Sequence, residues 1–145
     1  MIGDWSIKGI DEDKVWKDSV NELKTNLILM NQEQLKQGFD STGKKLPPYS
    51  SPYARKKGKN INVKTLNDTG AFYKGFYAIP FDKFIEVGSR DWKAYFLDGT
   101  GPMAKKILGD SAGKVFGLTE ENLQEFRTLF IPIYTRNLTN AILQA

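Results

Sequence analysis

Residues 11–38 read DEDKVWKDSVNELKTNLILMNQEQLKQG. Within them Trp16, Val20, Leu23, Leu27 and Met30 recur at spacings of 4, 3, 4 and 3, which places one apolar stripe along a helix. Ile28 and Leu35 widen the stripe toward its C-terminal half. Asp11 is placed as an N-cap, and Glu12 and Asp13 come next in the first turn, where acids meet the positive end of the helix dipole. Gly38 stands where a helix-terminating glycine belongs. The pattern predicts a helix over 11–37, about 40 Å long at 1.5 Å per residue. That exceeds the diameter of a small domain. The stripe therefore either packs wholly on its own chain, against a hairpin and the helix over 119–130, or leaves part of itself for a neighbour. Before the helix, residues 1–10 read as a lead-in with a short extended piece at Trp5–Ile7.

Outward from this helix toward the C-terminus, residues 71–145 read as a hairpin and further helices. Asp68 or Thr69 is expected to cap a short turn of helix at 70–74. Phe76–Ile79 and Phe84–Val87 read as two strands joined around Pro80–Lys83, and Gly88-Ser89 ends the second. A two-stranded ribbon is marginal alone and needs helices as a floor, or strands from other subunits. Trp92, Tyr95 and Phe96 suit a short amphipathic helix that Asp98-Gly99-Thr100-Gly101-Pro102 stops. Met103, Ile107 and Leu108 suggest one or two helical turns, and Gly109–Gly113 a loop. Thr119 reads as an N-cap before Glu120 and Glu121, and Leu123, Phe126 and Phe130 continue as a stripe. Pro132 breaks or kinks the helix at that point. Beyond it, either the helix resumes through Tyr134, Leu138 and Ile142, or a short strand lies at 129–134.

Between the two halves, residues 38–70 read GFDSTGKKLPPYSSPYARKKGKNINVKTLNDTG. Glycines and prolines there break both regular ladders, and Pro47-Pro48 and Ser51-Pro52 favour extended backbone. From Ser41 to Asn67 there is no acid, while Lys44, Lys45, Arg55, Lys56, Lys57, Lys59 and Lys64 supply seven of the 21 bases. The rest of the chain holds 14 bases against 17 acids, so the formal +4 resides in this arm. Leu46, Tyr49 and Tyr53 give it apolar anchors, which a flexible tether lacks. Two readings stand: a solvated loop whose lysines aid solubility, or an assembly arm that docks on a neighbouring subunit or on nucleic acid. Structureless loops beyond about 12–15 residues are uncommon in compact domains unless functional or disordered. On the second reading Leu46, Tyr49, Tyr53, Arg55, Lys56, Lys57, Lys59 and Lys64 are the partner-binding residues, and the arm is peripheral to the fold.

The totals fit a single domain over 1–145, with 40% hydrophobic and 12% aromatic residues. The chain has neither Cys nor His, which excludes disulfides, Cys/His zinc sites and every His-dependent triad. The opening MIGDWSIKGIDEDK lacks the apolar run of a signal peptide, and no stretch approaches the roughly 20 residues of a membrane span. Ser41, Ser50 and Ser51 have no activating base or nucleophile elbow around them. Gly99-Thr100-Gly101 before Pro102 is a turn more than a phosphate loop. Asp68, Glu86 and Asp91 are a loose carboxylate set for a metal, each with an ordinary role as cap, strand edge or turn. Lys/Arg interleaved with Tyr suits contact with phosphate and bases, backbone-directed and without sequence preference.

The order of motifs carries more than any one of them. A glycine-terminated helix is followed by Leu46-Pro47-Pro48-Tyr49-Ser50 and Tyr53-Ala54-Arg55-Lys56-Lys57-Gly58. Leu66-Asn67-Asp68-Thr69-Gly70 then opens an aromatic hairpin, with Val87-Gly88-Ser89, Ala94-Tyr95-Phe96 and Gly99 after it. Phe116-Gly117-Leu118-Thr119-Glu120-Glu121-Asn122 leads the last helix. Over residues 12–130 this resembles the tailed-bacteriophage virion morphogenesis family of tail-completion and head–tail joining proteins. The family often carries a histidine near Tyr95–Gly99 and a Pro-Arg before the Phe116 motif; here there is no histidine, and Gly113-Lys114-Val115 stands before the motif.

The resemblance implies an α+β fold: a long N-terminal helix and C-terminal helices on a small antiparallel β-sheet, with the long basic arm extended. It implies a structural protein, not an enzyme, with no cofactor, no small-molecule substrate and no membrane. Its place would be the neck or tail end of a virion, after assembly in the host cytoplasm. Its partners would be copies of itself in a ring and neighbouring neck or tail proteins, with non-specific contact to DNA in a channel. A basic nucleic-acid-binding module is the alternative.

Overall fold

The computed structural model describes residues 9–48, 70–91, 94 and 102–144. Its elements are α1 (Glu12–Lys36), α2 (Ala71–Lys74), β1 (Phe76–Phe81), β2 (Phe84–Ser89), α3 (Pro102–Leu108) with a 3-10 turn at Gly109–Ser111, and α4 (Glu120–Gln144). The fold is α+β: α1 and α4 are packed against a two-stranded antiparallel ribbon. The extended piece expected at Trp5–Ile7, the arm from Tyr49 onward, and Trp92, Tyr95 and Phe96 lie outside the described residues.

α1 begins and ends by the chemistry its sequence supplies. Asp11 Oδ1 accepts from the Lys14 N–H at 3.0 Å. At the other end Phe39 N–H reaches Gln34 O (3.0 Å) and Gly38 N–H reaches Leu35 O (2.9 Å), the paired bonds of a Schellman motif. Gly38 takes φ 87°, the left-handed conformation this motif requires. Val20, Leu23 and Leu27 of the stripe are buried, against β1 and α4. Trp16 and Met30 are only partly buried. For Trp16 the reason is its polar edge: Nε1 donates to Phe81 O at 2.7 Å while the ring meets Phe130 edge-on at 5.3 Å. Trp16→Phe removes that bond and keeps most of the ring, so a loss of about 0.5–1.5 kcal/mol is expected in urea denaturation.

Two apolar clusters form the core. One joins Leu35, Leu46, Phe72, Tyr73, Phe76, Leu108 and Val115; the other joins Leu23, Leu27, Ala78 and Phe126. Ile28 and Val87 touch both. Phe72 lies at the centre of the first, with the rings of Tyr73, Phe76 and Phe116 at 5.8, 5.3 and 5.8 Å.

Two expectations change. α4 is one helix across Pro132, with no strand at 129–134. Proline removes a helical hydrogen bond, but tertiary packing on both sides of it, through Phe126 and Asn137, holds the helix. The N-cap position of α2 is Gly70, at φ 84°; Asp68 and Thr69, the expected capping side chains, lie outside the described residues. Residues 39–46 are not peripheral: Asp40 and Leu46 are buried, Phe39 bridges Lys45, and Ser41 N–H bonds Lys114 O at 2.8 Å.

Candidate assembly surface

The ribbon register decides what it shows to solvent. Phe76 pairs with Ser89, Ala78 with Val87, Pro80 with Ile85, and Phe81 with Phe84 across the turn at Asp82-Lys83. Side chains alternate between faces, so Phe76, Ala78, Pro80, Ile85 and Val87 face the helices. Tyr77, Ile79, Phe81, Phe84 and Glu86 form the outer face. That face is apolar too: Ile79, Phe81 and Phe84 are 37, 40 and 58% exposed. Phe81 and Phe84 stack at 5.0 Å as an aromatic tip, anchored below by the Trp16 bond. At the far end the Tyr77 ring lies over Gly88, where a Cβ would meet the phenol oxygen at 2.6 Å; only glycine allows that approach. The Arg90 guanidinium sits 4.9 Å above the same ring. Leu129 and Ile131 of α4 add further exposed apolar surface.

Of the partner-binding residues read from the sequence, only Leu46 is described, and it is 2% exposed in the core with Leu35, Phe72 and Leu108. Its side chain serves the chain's own fold. Tyr49, Tyr53, Arg55, Lys56, Lys57, Lys59 and Lys64 lie outside the described residues. Lys44 is compensated: its ammonium meets Asp110 Oδ2 at 2.6 Å, which raises the lysine pKa and lowers that of the aspartate. The basic character of the arm therefore begins after this pair.

Sequence reading missed the polar groups that fasten the loops. Asp40 has no solvent exposure, and its Oδ1 accepts from Thr42 N–H (2.8 Å), Thr42 Oγ1 (2.6 Å) and Lys44 N–H (3.0 Å). Its Oδ2 accepts from Ser111 Oγ at 2.7 Å. Burial alone would raise its pKa, but the bonds from Thr42, Ser111 and Lys44 outweigh that and hold it below the ordinary carboxylate value. On α1, Asn31 donates to Val115 O (3.1 Å) and accepts from Gly117 N–H (2.9 Å). Gln34 donates to Gly117 O (2.9 Å) and accepts from Thr119 N–H (2.9 Å) and Asn122 Nδ2 (2.8 Å), at the start of α4. The available signal was position: Asn31 and Gln34 continue the 4-and-3 spacing of the stripe after Leu27. Polar residues on a buried face need partners.

Among the described residues no group of three metal-ligating side chains converges, and no helix is long and apolar enough to cross a membrane. Glu86 lies on the outer face of the ribbon and Asp91 comes just after β2, while Asp68 lies outside the described residues. No family model matches this chain, and none of the curated proteins or solved structures is a match to it.

Proposed function

We propose that this chain is a non-enzymatic structural subunit of a tailed-bacteriophage particle. It works in an oligomeric ring at the neck or tail end, in head–tail joining or tail completion. The supporting observation is the ribbon: both of its faces are apolar, and the outer one leaves Ile79, Phe81 and Phe84 in water. Exposed contiguous apolar surface of this kind marks interaction sites. The ordered motifs between residues 12 and 130 give the reading its particular setting.

The double variant Phe81→Ser/Phe84→Ser tests it. Wild-type chain is expected to sediment as a closed oligomer and to complete particles when added to unjoined heads and tails. The variant is expected to keep its circular dichroism, sediment as a monomer and fail to complete particles. A wild-type chain that stays monomeric at high concentration and leaves particle completion unaffected overturns the proposal. The basic-module reading is favoured by the acid-free run from Ser41 to Asn67. It predicts monomer binding to duplex DNA with a steep salt dependence, of slope near −0.9 per neutralised phosphate.

A further inference from the structure

A groove of about 570 Å³ runs between α1 and the outer edge of β1. Its helical wall is Lys17, Asn21, Lys24 and Ile28, one stripe of α1; its other wall is the consecutive run Phe76–Pro80, with Arg90 at one end. The strand wall is an open edge. In the ribbon, Arg90 N–H bonds Gly75 O at 2.9 Å, and the two-residue turn makes Phe81 and Phe84 a hydrogen-bonded pair. Bonded and non-bonded pairs alternate. Tyr77–Gly88 and Ile79–Glu86 are therefore bonded to each other, and Phe76, Ala78 and Pro80 turn their backbone polar groups away from β2. The alternation leaves the Ala78 N–H and C=O unused by β2, and no bond to them from outside the ribbon is present among the described residues. Pro80 offers no N–H, which ends the free ladder there.

Among the described residues the charge of the groove has one sign: Lys17, Lys24 and Arg90 line it and no acid does. Lys17 is shared with Asp13 at 2.8 Å. Lys24 and Arg90 have no acidic partner among the described residues, and the Arg90 guanidinium, which lines the groove, lies 4.9 Å from the Tyr77 ring centroid.

The geometry points to a docking site for an extended acidic peptide segment of a partner protein. The segment adds as a strand to the edge of β1, its main chain bonding Ala78 and its carboxylates meeting Lys24 and Arg90. Strand addition takes affinity from main-chain bonds and specificity from alternate side chains. A nucleic-acid strand would satisfy the cations but leave the Ala78 edge without its complementary ladder. This site does not rest on the phage reading.

The test uses the full chain, labelled with 15N, and a synthetic eight-residue peptide alternating Glu and Val. A twin with Lys for Glu and a twin N-methylated at alternate amides serve beside it. The acidic peptide is expected to shift the amide resonances of Ala78, Ile79 and Arg90. Lys24→Glu/Arg90→Glu should weaken it at least tenfold, while Lys105→Glu on α3 leaves it unchanged. The Lys peptide and the N-methylated peptide should not bind there. Absence of the Ala78 shift at millimolar acidic peptide overturns the proposal. So does equal binding by the N-methylated twin, indifference to Lys24→Glu/Arg90→Glu, or preferential binding of oligothymidylate at these resonances.

Discussion

Asp40→Ala is expected to lower the unfolding free energy by about 2–4 kcal/mol, from an orphaned buried hydroxyl on Ser111 and the space left by the carboxyl. The residue lies in a stretch that composition marks as a loop, where most substitutions change stability within about 0.5 kcal/mol. What sets it apart is that its carboxylate ties the 39–46 segment both to itself, through Thr42 and Lys44, and to the 3-10 turn, through Ser111. The same group gives a pH signature. Its folded pKa lies below the ordinary value, about 3.9 for an unfolded Asp. The carboxylate therefore contributes stability fully above that ordinary value, and the contribution is lost as pH falls through the lower folded value. Urea midpoints measured from pH 7 down to pH 2.5 should fall steeply below about pH 4 for the wild type. Asp40→Asn should be less stable at pH 7 and show a flatter fall. Equal slopes would mean that other carboxylates govern acid unfolding.

Phe72→Ala should cost about 3–5 kcal/mol, the range for emptying a large aromatic from a packed core. Phe72 is 1% exposed, and its ring holds together α2, the start of β1 and the Phe116 loop. Its backbone takes part as well, since Phe72 O accepts from Ser89 Oγ at 2.7 Å and ties α2 to the end of β2. The loss should appear as a lower denaturant midpoint at an unchanged slope. By contrast Phe84→Ala removes an aromatic of the same size from a surface more than half open to water. It should barely move the midpoint of the monomer.

The helices and ribbon were legible in the sequence because each element writes its own period. Asp11, Gly38 and the 4-and-3 stripe give the limits of α1 to within a residue, and the apolar runs Phe76–Ile79 and Phe84–Val87 give the hairpin, although each strand runs two residues further, through Phe81 and Ser89. The helix across Pro132 was not legible, since the proline states a local penalty while the contacts that outweigh it come from α1. The same limit applies to residues 39–46. Glycine, lysine and a run toward proline describe a loop, and nothing local reports that Asp40 finds Ser111 or that Leu46 finds Phe72. For the candidate surface, the outer apolar positions could be assigned only once the register was known. A strand with aromatics on both faces reads the same from either side.

The polar contacts between α1 and α4 have a mechanical consequence. Gln34 holds the start of α4 through Thr119 and Asn122, and toward the other end Arg136 pairs with Glu22 while Asn137 bonds Ser19 and Glu22. Apolar contacts alone would let two antiparallel helices slide by a turn, about 5.4 Å, and find new neighbours. Here such a slip would break directional bonds at both ends at once. The pair therefore behaves as a strut roughly 37 Å long that resists shear along its axis. A push delivered at the ribbon turn, where Trp16 grips Phe81, would be carried along both helices to the Asn31 and Gln34 end with little loss to internal creep.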